Sequence, residues 1–180
     1  MSTTLEFKID WDCESWLDTP DFSDAIDDIS DYVMRYELDR GEKVEQGNSP
    51  AGTLQIVVNN SSKRFSPVYG SSPLYGKMRP WLPVRFRATV GVTTYTVYTG
   101  FISRISCDPL SSRQTATLYC TDGMDLLARN MVTQDETVSS STSDGGAVGY
   151  VLDAAGWPTS KRSLDSTAGD IANYPLTVEY

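Results

Sequence analysis

Carboxylates at alternate positions mark the first irregular stretch of the chain. Asp10, Asp12 and Glu14 are spaced as the oxygen ligands of calcium loops are spaced, and Asp18, Asp21 and Asp24 follow closely enough to complete a coordination shell. The glycine that lets an EF-type loop turn around its ion is missing, so we read residues 10–28 as a solvated acidic loop and assign it no metal. The same carboxylates can be paired on paper for glycoside hydrolysis, but spacing along a chain does not set their separation in space. Histidine is absent, which excludes a Ser–His–Asp or Cys–His nucleophile and removes the commonest zinc ligand. No glycine-rich phosphate loop is present. Cys13, Cys107 and Cys120 are an odd number of cysteines without a secretory signal pattern ahead of them. Cys107 and Cys120 flank a short turn and are candidate cross-strand neighbours. We read them as buried thiols acting as small apolar residues. These residues lead us to expect no catalysis and no cofactor.

Contact chemistry is better supplied than reaction chemistry. Residues 64–88 read RFSPVYGSSPLYGKMRPWLPVRFRA and hold four of the nine prolines. Proline fixes its own φ and donates no ladder hydrogen bond, so the first part of this stretch is neither a helix nor a central strand. It nonetheless carries Phe65, Tyr69, Leu74, Tyr75, Met78 and Trp81, and a long loop with that apolar weight packs on something. Lys63, Arg64, Lys77, Arg79, Arg85 and Arg87 interleave with the aromatics, a pattern superficially like single-strand nucleic-acid binding. The net charge of −9 weighs against that reading. Charge is unevenly placed: residues 1–45 carry 14 acidic and 4 basic side chains, residues 46–107 no acidic and 7 basic, and residues 108–180 10 acidic and 4 basic. Such a division implies complementary surfaces, within the fold or between subunits. Trp11, Trp16, Trp81 and Trp157 are available to line a sugar cleft, but aromatics serve more often as core or interface anchors.

The elements that must position these residues are mostly strands. Residues 4–10 alternate with period two, Leu5, Phe7 and Ile9 against Glu6, Lys8 and Asp10. Residues 29–40 resume a strand with bulk on both faces, which places it inside a sheet. Residues 53–59 are β-branched, and 84–90 put Val84, Phe86, Ala88 and Val90 inward and Arg85 and Arg87 outward. Residues 93–107 form a long strand in which Tyr95, Val97 and Thr99 alternate in a β-branched and aromatic context, with a bulge or bend at Gly100. Residues 108–112 turn it into a return strand over 113–121, with Ala116, Leu118 and Cys120 on one face. Hairpins without an intervening helix argue for an antiparallel barrel or sandwich. The period then changes. Asp122 offers a helix N-cap before Met124, Leu127, Ala128 and Met131, and a polar loop over 133–144 leads to a second helix over 145–155. There Val148, Val151, Leu152 and Ala155 share a stripe, Gly156 is placed as a C′ residue, and Pro158 blocks continuation. A strand pattern begins at 174. We expect a mainly β (α+β) fold with a barrel domain over 1–132 and a helix plus extended segment over 133–180. No run of apolar residues reaches membrane-spanning length, and we expect a soluble protein made in the cytosol.

Residues 59–88, NNSSKRFSPVYGSSPLYGKMRPWLPVRFRA, resemble the signature of bacteriophage minor tail proteins, the tail-tip or baseplate hub proteins. The pattern is an Asn-rich or acidic turn, Arg-Phe-Ser-Pro, SSPLYG, then a basic-Pro-x-x-Pro-Val-Arg run into a strand. Asp10-Trp11-Asp12, Asp27-Asp28-Ile29, Tyr32-Val33, Arg40-Gly41, Gly100-Phe101-Ile102, Asp122 with Leu126-Leu127, residues 151–158 and Arg162 fall in the order of that family. The chain departs from it at Ser61-Ser62-Lys63, where members often have an acidic, glycine-containing turn, and at Cys13-Glu14-Ser15, where members often continue Asp-x-Asp-Gly. Family proteins usually continue well beyond this length. The resemblance implies an antiparallel tail-tube-like β-barrel followed by two short helices, without metal or cofactor. It also implies a ring, a trimer in the related hubs, at the distal end of the tail tube. The implied partners are a tail-tube or distal tail protein, tip or fibre proteins and a tape measure protein, with DNA passing through a lumen that acidic segments line. Localisation would be the virion tail tip, after synthesis in the host cytoplasm. The implied subunit interface is Arg64, Phe65, Tyr69, Leu74, Tyr75, Lys77, Arg79 and Trp81. The rival reading is a carbohydrate-binding β-sandwich for host-surface attachment that uses the tryptophans. A carboxylate hydrolase of cell wall is a weaker third.

Overall fold

A computed structural model describes residues 3–40, 51–108, 114–129, 136–137, 144–164 and 175–176. The chain divides into two compact units, Met1–Asp125 and Leu126–Tyr180, a boundary a few residues earlier than the sequence implies.

The first unit is a six-stranded antiparallel sheet: β1 Thr3–Ile9, β2 Val33–Asp39, β3 Thr53–Asn59, β4 Pro83–Val90, β5 Thr93–Cys107 and β6 Thr115–Thr121. Its spatial order is β1-β4-β5-β6-β3-β2, and the sheet is curled into a half-barrel. The expected antiparallel, mainly β architecture is present. Alternation does the work locally: Leu54, Ile56 and Val58 of β3 and Ala116, Leu118 and Cys120 of β6 are buried, and the residues between them face away from the core. Phe7 stacks on Phe86 with ring centroids 4.2 Å apart, and Tyr36 of the far edge strand approaches both rings at 5.3 and 5.1 Å. Aromatic contact thus spans the gap between the two edges of the curl.

Bulges supply the curvature. Register slips at Met34 in β2, at Val97 in β5 against β4, and at Ser103 in β5 against β6. An extra residue bends and twists its strand, so three of them roll the sheet. They also set the faces of β5. Beyond the slip at Val97, Tyr98 is buried and Thr99 exposed, while Thr93 to Thr96 ahead of it are all exposed. Gly100 is not itself a bulge. A Cβ there would lie 2.4 Å from the Thr121 carbonyl oxygen and 2.5 Å from the Tyr98 hydroxyl, so the site accepts only glycine. Val90, expected inward, is exposed at the end of β4.

The segment read as a strand inside the sheet behaves differently. Ser30–Tyr32 forms a single 3-10 turn, and β2 follows it as an edge strand. Ser30 Oγ accepts the Phe7 N–H at 2.9 Å, and Asp28 Oδ1 accepts the Ser30 N–H at 2.9 Å, which fixes the turn. Just before it, Ile9 N–H donates to the Asp27 carbonyl and Ile29 N–H to the Phe7 carbonyl, each at 3.0 Å. Residues 27–29 therefore cover the outer edge of β1, which would otherwise be an open template for pairing.

In α1, Gly123–Arg129, the expected cap is present: Asp122 Oδ1 accepts the Met124 N–H at 2.9 Å. Leu126 is its buried residue and Met124 is exposed, while Met131 lies outside the described residues. The second unit contains α2, Asp144–Ala154, and a two-residue antiparallel ladder between β7, Glu136–Thr137, and β8, Pro175–Leu176. Gly156 ends α2 at φ 71°, with its N–H on the Asp153 carbonyl and the Trp157 N–H on the Leu152 carbonyl. This is the six-to-one and five-to-two pattern that satisfies a helix C-terminus. Of the expected stripe, Leu152 is buried and Val148 and Val151 are exposed. The loops expected over 109–112 and 138–143, and the rest of the strand pattern from 174 onward, lie outside the described residues. Among the described residues, no helix is long and apolar enough to cross a membrane.

Candidate functional site

Two long irregular segments of the first unit meet: the acidic loop 10–28 and the strap 60–82. In the loop, carboxylates serve the backbone. Asp10 is buried, and its Oδ1 accepts the N–H of Cys13 at 2.8 Å and of Asp12 at 3.2 Å, while its Oδ2 accepts the Asp21 N–H at 2.8 Å. Asp18 accepts the Ser15 N–H, and Asp21 that of Ser23. Short acidic side chains are the usual means of closing successive turns, which accounts for their density here. Asp27 is also buried, with one long contact, 3.4 Å, from the Trp11 N–H. Burial raises its carboxyl from the ordinary 3.8 to about 6, and the neighbouring charges of Asp10 and Asp24 push the same way. Asp10, Asp12, Asp18, Asp21, Asp24 and Asp27 line an open pocket of about 330 Å³. Among the described residues, no three acidic, cysteine or histidine side chains are grouped to hold a metal ion.

The strap is a string of turns and not an extended path. Lys63, Ser66, Tyr69, Ser72 and Tyr75 each donate their N–H to the carbonyl three residues back, at 2.9 to 3.2 Å, and Lys77 does the same to Leu74. Proline, serine and glycine suit single turns and oppose their fusion into a helix. Lys63 and Trp81 sit near the two ends with φ of 59° and 69°, left-handed values that side chains rarely adopt. Two buried polar groups lock the string. Asn60 Oδ1 accepts the Phe65 N–H at 2.9 Å and its Nδ2 donates to Ser66 Oγ at 3.0 Å. Ser72 Oγ donates to the Arg64 carbonyl and accepts the Leu74 N–H at 3.1 Å. Neither Asn60 nor Ser72 stands out in the sequence beyond marking a turn.

The eight residues expected at an interface separate into four groups. Phe65 and Leu74 are 0% exposed and present no surface to a neighbour; this corrects their reading as interface anchors. Phe65 meets Tyr32 edge-on at 5.5 Å and Trp11 at 6.4 Å, so it belongs to the core. Arg64, Lys77 and Arg79 turn toward the acidic loop of the same unit. Arg64 donates to the Ile26 carbonyl at 3.3 Å and lies 5.0 Å from the Tyr32 ring centroid. Lys77 pairs with Asp12 at 2.7 Å, and Arg79 donates to the Cys13 carbonyl. The charge complementarity legible in the sequence is met inside the fold by Lys77 with Asp12, while Arg64 and Arg79 reach backbone carbonyls of the same loop. Trp81 is half-buried, with its N–H on the Ile102 carbonyl at 2.7 Å. Tyr69 and Tyr75 remain on the outside, Tyr75 at 57% exposure, with Lys63 Nζ 5.4 Å from the Tyr69 ring centroid. Val68, which sequence reasoning passed over, is 91% exposed beside them.

The remaining candidates disperse. Trp11 is buried and Trp16 packs edge-on against Phe101 at 6.5 Å. Cys107 stands opposite Ala116 and Cys120 opposite Ile102, so the two thiols are not cross-strand neighbours. None of the three cysteines is in a disulfide, and burial pushes the Cys107 and Cys120 thiols up. On the sheet face opposite the core, Arg35, Val57, Thr117 and Ser106 form one cross-strand row. They border a pocket of about 450 Å³ with Gln55, Asp108 and Thr115. No protein-family model matches this chain, and a search of curated proteins finds no match to it.

Proposed function

We propose that this chain is a structural component of a bacteriophage tail tip or baseplate hub, a tail-tube-like barrel that acts by assembly and without catalysis. In this reading it forms a ring at the distal end of the tail tube. It joins the tube or distal tail protein to tip and fibre components, and it works in the virion. One observation carries the reading. The strap is fastened to the core through Phe65 and Leu74, yet it holds Val68, Tyr69 and Tyr75 outward on a string of hydrogen-bonded turns. Apolar and aromatic side chains held in place in this way lose little entropy on docking, which suits a permanent interface. The resemblance of residues 59–88 to the hub signature supports the same conclusion. Light scattering of the chain with tail-tube and tip proteins tests it. Tyr69→Ala combined with Tyr75→Ala should leave the monomer folded and reduce its incorporation into particles at least about tenfold, the loss expected of a central aromatic pair. Normal incorporation of that variant would defeat the proposal.

The carbohydrate-binding reading draws on the 450 Å³ pocket, where Arg35, Gln55, Ser106, Thr115 and Thr117 offer hydrogen-bonding groups. Glycan binding that Gln55→Ala abolishes, with no tail partner found, would favour it.

A further inference from the structure

The sheet has two edges, and only one is covered by the described residues. Residues 27–29 cover the outer side of β1. Among the described residues β2 pairs only with β3, and Met34 to Glu37 are exposed along it. Met34 is 63% and Tyr36 41% exposed. An edge strand of seven residues with apolar side chains on show is a ready template for another strand.

We propose that β2 pairs with β2 of a second copy of this chain, antiparallel about a two-fold axis through Tyr36. The order of side chains selects this partner. Val33–Asp39 reads VMRYELD. With Tyr36 on the axis, Arg35 lies opposite Glu37 of the second copy and Glu37 opposite its Arg35. Tyr36 lies opposite itself. Two opposite-charge pairs then form on one face and an aromatic pair on the other, each the kind of cross-strand neighbour that stabilises a sheet. A register that keeps the faces in phase can move only in steps of one axis position. One step one way sets Arg35 against Arg35, and one step the other way sets Glu37 against Glu37. The sequence therefore favours one register and opposes both neighbours. The bulge at Met34 does not interfere with the centre, because Arg35, Tyr36 and Glu37 lie in the regular run of β2 that continues to Asp39. The contact is isologous, so it closes at two copies and does not propagate into a fibre. It is separate from the strap and does not depend on the role proposed for it.

Sedimentation equilibrium of the full chain, with Arg35→Glu, Glu37→Arg and the double exchange, tests the proposal. We expect a dimer for the natural sequence, and a dissociation constant at least about tenfold weaker for each single reversal, since each turns two attractive pairs into repulsive ones. The double exchange should return to within about threefold of the natural value, because it restores both pairs with signs swapped. Circular dichroism of each variant establishes that the fold is kept. A protein that stays monomeric up to about 0.5 mM, weaker than any useful edge contact, overturns the proposal. So does a dimer indifferent to Glu37→Arg, or a double exchange as weak as the singles.

Discussion

The strap and the acidic loop are both long, both irregular and in contact, yet they are held by different forces. The strap hangs on two apolar side chains, Phe65 and Leu74, sunk completely into the core. The loop hangs on a carboxylate, Asp10, which gathers three backbone N–H groups. Order without regular secondary structure thus has two routes here: burial of apolar side chains, and carboxylate acceptors for backbone N–H groups. The difference matters for function. The strap's anchors Phe65 and Leu74 carry no titrating group, while the loop holds Asp27, whose carboxyl burial pushes up.

Phe65→Ala removes the ring between Tyr32 and Trp11 and should cost about 3–5 kcal/mol, read as a lower urea midpoint at unchanged slope. A loss below about 1 kcal/mol would mean the strap is not held by burial. Asp10→Ala orphans three N–H groups and should cost about 3 kcal/mol, the scale of charge-assisted hydrogen bonds. Its amide exchange should rise through residues 12–21 and stay unchanged in the strap. If the strap loosens equally, the two segments are one cooperative unit.

The smallest effect concerns Asp27, whose carboxyl is raised in the fold to about 6 from 3.8. Between those values the folded protein binds more protons than the unfolded chain, so stability is greatest below about pH 4 as far as this group is concerned, and it falls as pH rises through 6. Asp27→Asn keeps the acceptor for the Trp11 N–H and removes the charge beside Asp10 and Asp24. It should raise stability by about 1–2 kcal/mol at pH 7, allowing for solvent in the open pocket, and change little at pH 4. Thermal melts at both pH values decide it. An equal effect at both would assign the change to packing and not to charge.

Much of the fold is legible in the residues. The alternation of β1, β3 and β6 marks strands and their inner faces, and Asp122, Gly156 and Pro158 mark helix limits. These features follow from local geometry: period two, a cap oxygen, a left-handed glycine. The candidate site is less legible. Residues 64–81 announce an ordered, non-helical, aromatic loop, but nothing local says that Phe65 and Leu74 point inward while Val68 and Tyr75 point out. In a string of turns no fixed period assigns faces.

The antiparallel β character, the charge division and the non-helical course of the strap are written in the residues themselves. The phase of β5 beyond Val97, the edge position of β2 and the burial of particular carboxylates emerge with the assembled sheet. The physical reason is the same in each case. Propensity and periodicity act between residues a few positions apart. A bulge, a sheet edge or a desolvated Asp27 exists only once distant segments have come together.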